Sequence, residues 1–157
     1  MKQLKNLALS FYYALRGIGY AVATQRNLRI DLVALCLVLI FGMMAHISVT
    51  HWCVVLICCM VVISLELLNT AMESLCDKLT SKSNPLIRHA KDAAAGAVLI
   101  AAIGSLAVAI VILAGTPEYR TYIAAVWNSG LRPKIGLAID AVAALIFIFV
   151  PSGSRKK

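Results

Sequence analysis

The stretch Glu66-Leu67-Leu68-Asn69-Thr70-Ala71-Met72-Glu73-Ser74-Leu75-Cys76-Asp77 sets three carboxylates and a carboxamide at the end of a long apolar run. At about 100° per residue, Glu66, Asn69, Glu73 and Asp77 fall at roughly 0°, 300°, 340° and 20° around a helix, a sector of about 80°. They form one polar stripe, with Glu66 and Glu73 about 10 Å apart along the axis. A carboxylate at membrane depth costs about 2.5 to 3.5 kcal/mol on insertion scales, so a pair on one face asks for a use. Oxygen ligands on one face suit Mg²⁺, which keeps several waters and shares phosphate oxygens. Lys91, followed by Asp92, adds a cation able to hold a phosphate as a point charge. Phosphoryl transfer asks for a base to take the acceptor hydroxyl's proton, a divalent ion to neutralise charge, and cations to position the phosphate. Glu66, Glu73 with Asp92, and Lys91 can fill these roles. The same residues also suit ion or proton transport, and neither a Walker loop nor a protein-kinase signature is present to decide. The plainest alternative is a structural cluster, with Arg88 and Lys91 neutralising Glu73 and Asp77 across a helical hairpin.

The elements that position these residues follow from composition. The chain of 157 residues is 61% hydrophobic and 14% charged, with a mean hydropathy of +0.87, so its apolar surface must face lipid rather than one buried core. It reads as a single polytopic membrane unit. The net charge of +8 does not point to nucleic acid, because the cations flank apolar runs instead of interleaving with exposed aromatics. The five cysteines have no metal-ligand spacing with His and lie mostly inside apolar runs, as small hydrophobes do. No cleavable signal peptide is expected, since Arg16 interrupts the first apolar stretch.

In chain order, residues 2 to 23 set Leu4, Leu7, Ala8, Phe11, Leu15, Ile18 and Val22 at helical spacing, which predicts an amphipathic helix in the membrane interface. A first span is expected from Leu32 to about Val49, and a second from Trp52 to about Leu68 that continues as helix to Asp77. Lys78 to Pro85 is a cationic, turn-rich loop, and a third span covers Ala93 to Ala114, with small residues that permit close helix contact. Residues 115 to 134 look like an external connection with an interfacial piece, and Ile135 to Val150 is a fourth run, short and carrying Asp140. The fold class is therefore all-α: a polytopic membrane helical bundle with an N-terminal amphipathic surface helix, three core spans and a fourth at the C-terminus. Residues 1–115 form the functional unit and 116–157 an extension, and removal of residues 118–157 is expected to leave a folded, active core because the chemistry ends with Asp92 and its span. The cation-rich ends gather on one side, which puts the acidic stripe in the cytoplasm.

The run Glu66-Leu-Leu-Asn69-Thr70-Ala71-Met-Glu73-x3-Asp77, followed by Ala90-Lys91-Asp92-Ala-Ala-Ala-Gly96-Ala97-Val98-Leu99, closely resembles the signature of the small prokaryotic diacylglycerol kinase and undecaprenol kinase family. Ala14-Leu15-Arg16-Gly17-Ile18 and Arg26-Asn27-x-Arg29-Ile30 fit its N-terminal part, and the likeness covers about residues 8 to 114. The resemblance implies an ATP-dependent membrane lipid kinase of the bacterial inner membrane, a homotrimer with active sites shared between neighbours on the cytoplasmic side. It implies Glu66 as general base, Asn69 and Asp77 as supporting polar groups, and Glu73 as Mg²⁺ ligand. Lys91 and Asp92 become nucleotide contacts, with Tyr13 and Lys82-Ser83-Asn84 as further ATP contacts. Gln25 stands where the family usually carries a second metal-binding Glu, and it is assigned to the ATP and Mg²⁺ site on that ground. Two rivals stand beside a kinase for undecaprenol or diacylglycerol: a four-span transporter using Glu66 as its ion-coupling carboxylate, and an inactive kinase-like scaffold, motivated by Gln25.

Overall fold

The computed structural model describes residues 2–79 and 84–149. They form six helices: α1 Lys2–Thr24, α2 Arg26–Met44, α3 Val49–Leu79, α4 Pro85–Gly115, α5 Pro117–Asn128 and α6 Leu131–Phe149. Helices α2, α3 and α4 are long and apolar enough to cross a membrane. The loop residues Lys82 and Ser83, expected at the nucleotide, lie outside the described residues.

Helix boundaries follow local chemistry. Helix α2 stops at Met44, earlier than the span expected to Val49. His46 takes the left-handed conformation with φ of 50°, and the Ile47 N–H reaches back to the Gly42 carbonyl at 3.1 Å. This is a Schellman ending, which satisfies a carbonyl the helix would otherwise leave bare. Helix α3 then starts at Val49 with Ser48 as its cap, the Ser48 Oγ accepting from the His51 N–H at 3.3 Å. Asn84 caps α4 by accepting from the Leu86 N–H at 2.9 Å, with Pro85 in the first turn.

The main packing is the antiparallel hairpin of α3 and α4, with α2 laid against α3. At the end of α2 remote from Arg26, Gly42 lets the Trp52 ring approach closely: a Cβ built there would meet ring carbons at 2.6 and 2.7 Å and the Ile47 methyl at 3.0 Å. Gly42→Ala is therefore expected to destabilise the fold by about 1 to 3 kcal/mol through overpacking, read as a fall in thermal midpoint in detergent. Little of the chain is buried by itself. Among the described residues, the buried polar ones are Arg29, Glu66, Asn69 and Thr70, whereas α4 has no buried residue and large apolar side chains such as Leu99, Ile100 and Val111 are exposed.

The extension is fastened to the core at both ends. Tyr119 of α5 is buried, and its hydroxyl accepts from the Ser48 N–H at 3.1 Å and pairs with His51 Nδ1 at 3.0 Å. Helix α6 then returns to the beginning of α2, where Arg29 donates to the carbonyls of Phe147 and Ile148 at 3.3 and 3.4 Å. Its 19 residues rise about 28 Å, close to the thickness of a hydrocarbon core.

Candidate active site

Helix α3 carries the acidic stripe, and α2 and α4 close around it. Glu66 is 2% exposed and lies close to the Asn27 side chain from the first turn of α2. It faces a cavity of about 310 Å³ walled by Asn27, Ile30 and Asp31 of α2, Asn69 of α3, and Ala95, Val98, Leu99 and Ala102 of α4. A second, apolar cavity of about 270 Å³ shares Asp31 and Ala102 with the first and continues between the same helices past Val62, Ile63, Val55 and Leu106. The small side chains of α4 leave the room that both cavities occupy.

Next to Glu66 lies a second group. The Glu73 carboxylate accepts from Asn69 Nδ2 through one oxygen and from Gln25 Nε2 through the other, each at 3.2 Å. The first bond follows from the i, i+4 spacing on α3. The second does not, because Gln25 is the single residue between α1 and α2, extended at φ −109° and ψ 117°. As the residue preceding α2 it makes no side-chain cap and sends its amide across to α3 instead. The Glu73 carboxylate fits Mg²⁺, which needs only one or two carboxylates besides waters and phosphates, and the Gln25 amide, whose nitrogen faces Glu73 here, would join it by turning its oxygen inward. Among the described residues, no cluster of three His, Cys, Asp or Glu offers a fuller cage.

At the polar end of the hairpin, Lys91 Nζ pairs with Asp77 Oδ1 at 2.6 Å. That hydrogen bond raises the Lys91 ammonium above the ordinary lysine value, so it stays charged. The stripe is thus brought together as Glu66, Asn69, Glu73 and Asp77, with Gln25 and Lys91 added from α2's start and α4. Other expected contacts stand apart. Tyr13 is exposed on α1 with the Arg16 guanidinium 5.4 Å over its ring, and Asp92 is exposed. Asn84 is spent partly on capping α4.

Asn27 and Asp31 do not stand out in the sequence as site residues, yet both line the cavity that holds Glu66. Their signal is an i, i+4 polar pair at the head of an apolar run, where a carboxylate is costly. Asp31 Oδ2 and Asn69 Oδ1 are buried there without a hydrogen-bond partner among the described residues.

A family profile described as prokaryotic diacylglycerol kinase matches residues 12–113. The chain belongs to that family. It is 40% identical over 110 residues to an undecaprenol kinase of Bacillus subtilis, covering 70% of this chain and 89% of that protein. It is 43% identical over 104 residues to a diacylglycerol kinase of Synechocystis, covering 66% of this chain and 59% of that protein. No solved structure matches the chain. As a member of the prokaryotic diacylglycerol kinase family it is a membrane lipid kinase, a transferase acting on an alcohol group. The family match ends at residue 113, so α5 and α6 stand outside it.

Proposed function

We propose that this lipid kinase moves the γ-phosphate of ATP onto the hydroxyl of undecaprenol or diacylglycerol, the two substrates named by its relatives. The observation that carries the reading is a buried carboxylate, Glu66, facing a cavity with polar groups at its wall, beside a second, apolar cavity that shares Asp31 and Ala102 with it. A lipid lying in the apolar cavity brings its hydroxyl to Glu66, which takes the proton as the oxygen attacks phosphorus. Asn27 lies beside the Glu66 carboxylate, and Asn69, which lines the same cavity, holds Glu73. Lys91, kept charged by Asp77, holds the phosphates, with Tyr13, Lys82, Ser83, Asn84 and Asp92 as further nucleotide contacts. Glu73 and Gln25 would hold Mg²⁺, which neutralises charge on the transferring phosphates when bound.

The proposed setting is the bacterial inner membrane, site toward the cytoplasm, because most cations flank the same helix ends as the stripe. A homotrimer with shared sites is the proposed assembly, supported by the exposed apolar faces of α4, none of whose residues is buried within one chain. The kinase machinery proper lies within residues 1–115, with 116–157 as an extension. Purified protein incubated with labelled ATP, Mg²⁺ and each lipid in turn is expected to label undecaprenol or diacylglycerol. Labelled lipid excludes both the transporter and the inactive scaffold, and no label on either lipid refutes the proposal.

Gln25 makes the metal corner testable. A neutral amide contributes less charge to a cation than a carboxylate does. Gln25→Glu is expected to lower the Mg²⁺ concentration giving half-maximal rate at fixed ATP. Superimposable Mg²⁺ titrations of the two proteins would place Gln25 outside the metal shell.

A further inference from the structure

We propose that Arg29 is a positioning residue: it clamps the carboxyl end of α6 onto the α1–α2 junction and so holds Gln25 against Glu73, giving the C-terminal extension control of nucleotide affinity. The inference rests on the reading of Gln25 and Glu73 as part of the nucleotide and metal corner.

Arg29 is 4% exposed, one turn into α2. Its Nη2 donates to the Ala23 carbonyl in the last turn of α1 at 3.4 Å, and its Nη1 donates to the Phe147 and Ile148 carbonyls in the last turn of α6. The final carbonyls of a helix lack internal donors and form its negative end. Neither α1 nor α6 has a basic residue in its own last turn, so one guanidinium serves two helix ends. Arg26 adds a contact, its guanidinium 5.6 Å over the Phe149 ring.

The clamp encloses the junction that matters for the site. Gln25 follows Ala23 by two residues, its N–H bonds the Ala21 carbonyl at 2.8 Å, and its side chain reaches Glu73. A planar fork holding α1 and α6 together fixes where α1 ends and α2 begins, and hence the direction of the Gln25 side chain. With Tyr119 anchored on Ser48 and His51 at the opposite end, α6 is held at the register that brings Phe147 and Ile148 to Arg29. The extension beyond the family match thus acts on the site through Arg29.

The test uses full-length protein in detergent carrying Arg29→Gln, Arg29→Lys, the pair Phe147→Gly with Ile148→Gly, and Gln25→Ala. Affinity is read by fluorescence titration with trinitrophenyl-ATP and Mg²⁺, alongside KM for ATP, KM for lipid, and hydrogen exchange of the Gln25 amide. Arg29→Gln, which removes the fork, and the glycine pair, which keeps both carbonyls but loosens the turn that presents them, are expected to raise the nucleotide Kd and KM about fivefold to tenfold, less than a full charge-assisted contact because the effect reaches the nucleotide through Gln25, with lipid KM little changed. Arg29→Lys falls between, since it keeps the charge and loses the fork. Exchange at Gln25 speeds up in all three. Combined with Gln25→Ala, none of them should add further loss, because both act through one contact. Additive losses, or faster exchange with unchanged nucleotide affinity, overturn the clamp. Unchanged affinity in Gln25→Ala itself overturns the nucleotide-corner reading together with the clamp, whereas a loss there with none in the Arg29 and glycine variants overturns the clamp alone. If Arg29→Gln does not fold, Arg29→Lys and the glycine pair distinguish the same outcomes.

Discussion

Glu66→Gln lowers the rate of phosphoryl transfer by about 10² to 10⁴, the usual contribution of a positioned general base, and leaves nucleotide affinity and assembly near wild type. Glutamine keeps the shape of the side chain and a polar group beside Asn27, so the buried site retains its packing. What it cannot do is accept the hydroxyl proton. Because Glu66 is 2% exposed and faces a largely apolar cavity, bulk water does not replace it as proton acceptor. Single-turnover transfer measured with saturating ATP and lipid isolates this step from binding. Turnover within a few-fold of wild type would remove Glu66 from the role of base and return the choice between Asp31 and Glu73.

Lys91→Met is expected to cost about 1.5 to 3 kcal/mol in kcat/KM for ATP, roughly 10- to 150-fold, the range for a hydrogen bond to a charged partner. Methionine preserves most of the aliphatic stem, so the loss reports the ammonium rather than packing. The substitution also leaves Asp77 without the cation that the structure sets 2.6 Å from it, which adds a repulsive carboxylate near the phosphates. Charge at Lys91 is favoured by that same carboxylate, so its pKa is higher folded than unfolded. Its contribution is then complete below the ordinary lysine value and is lost only as pH climbs through the raised one. Nucleotide affinity measured by titration should accordingly hold steady from neutral to mildly alkaline pH. An unchanged KM and kcat for Lys91→Met would assign the residue to a structural pair with Asp77.

The acidic stripe was legible because a helix of fixed period turns spacing into direction: Glu66, Asn69, Glu73 and Asp77 needed only the repeat to share a face, and the Asn69 to Glu73 bond is its local expression. The spans were legible because length and apolarity set what can cross a bilayer. Their ends were less so. Helix α2 stops at Met44 because His46 adopts a left-handed turn that no hydropathy pattern records, and Asp31 and Asn27 gain their meaning only where α4 encloses them with Glu66.

By itself, the sequence determined the all-helical membrane class, the face that carries the acids, and, through its motifs, the lipid-kinase family. Periodicity and composition act within a few residues and survive without knowledge of neighbours. Tertiary structure alone decided that Gln25 turns from capping to Glu73, that an apolar cavity lies next to the one holding Glu66, and that Phe147 and Ile148 end on Arg29. Those contacts join positions 48, 118 and 119 residues apart, and the expectations they bear on are the dispensability of the extension and the assignment of Gln25 to the site around Glu73. Such pairings depend on how helices cross and on which backbone carbonyls are left bare at their ends, and no residue type announces a carbonyl.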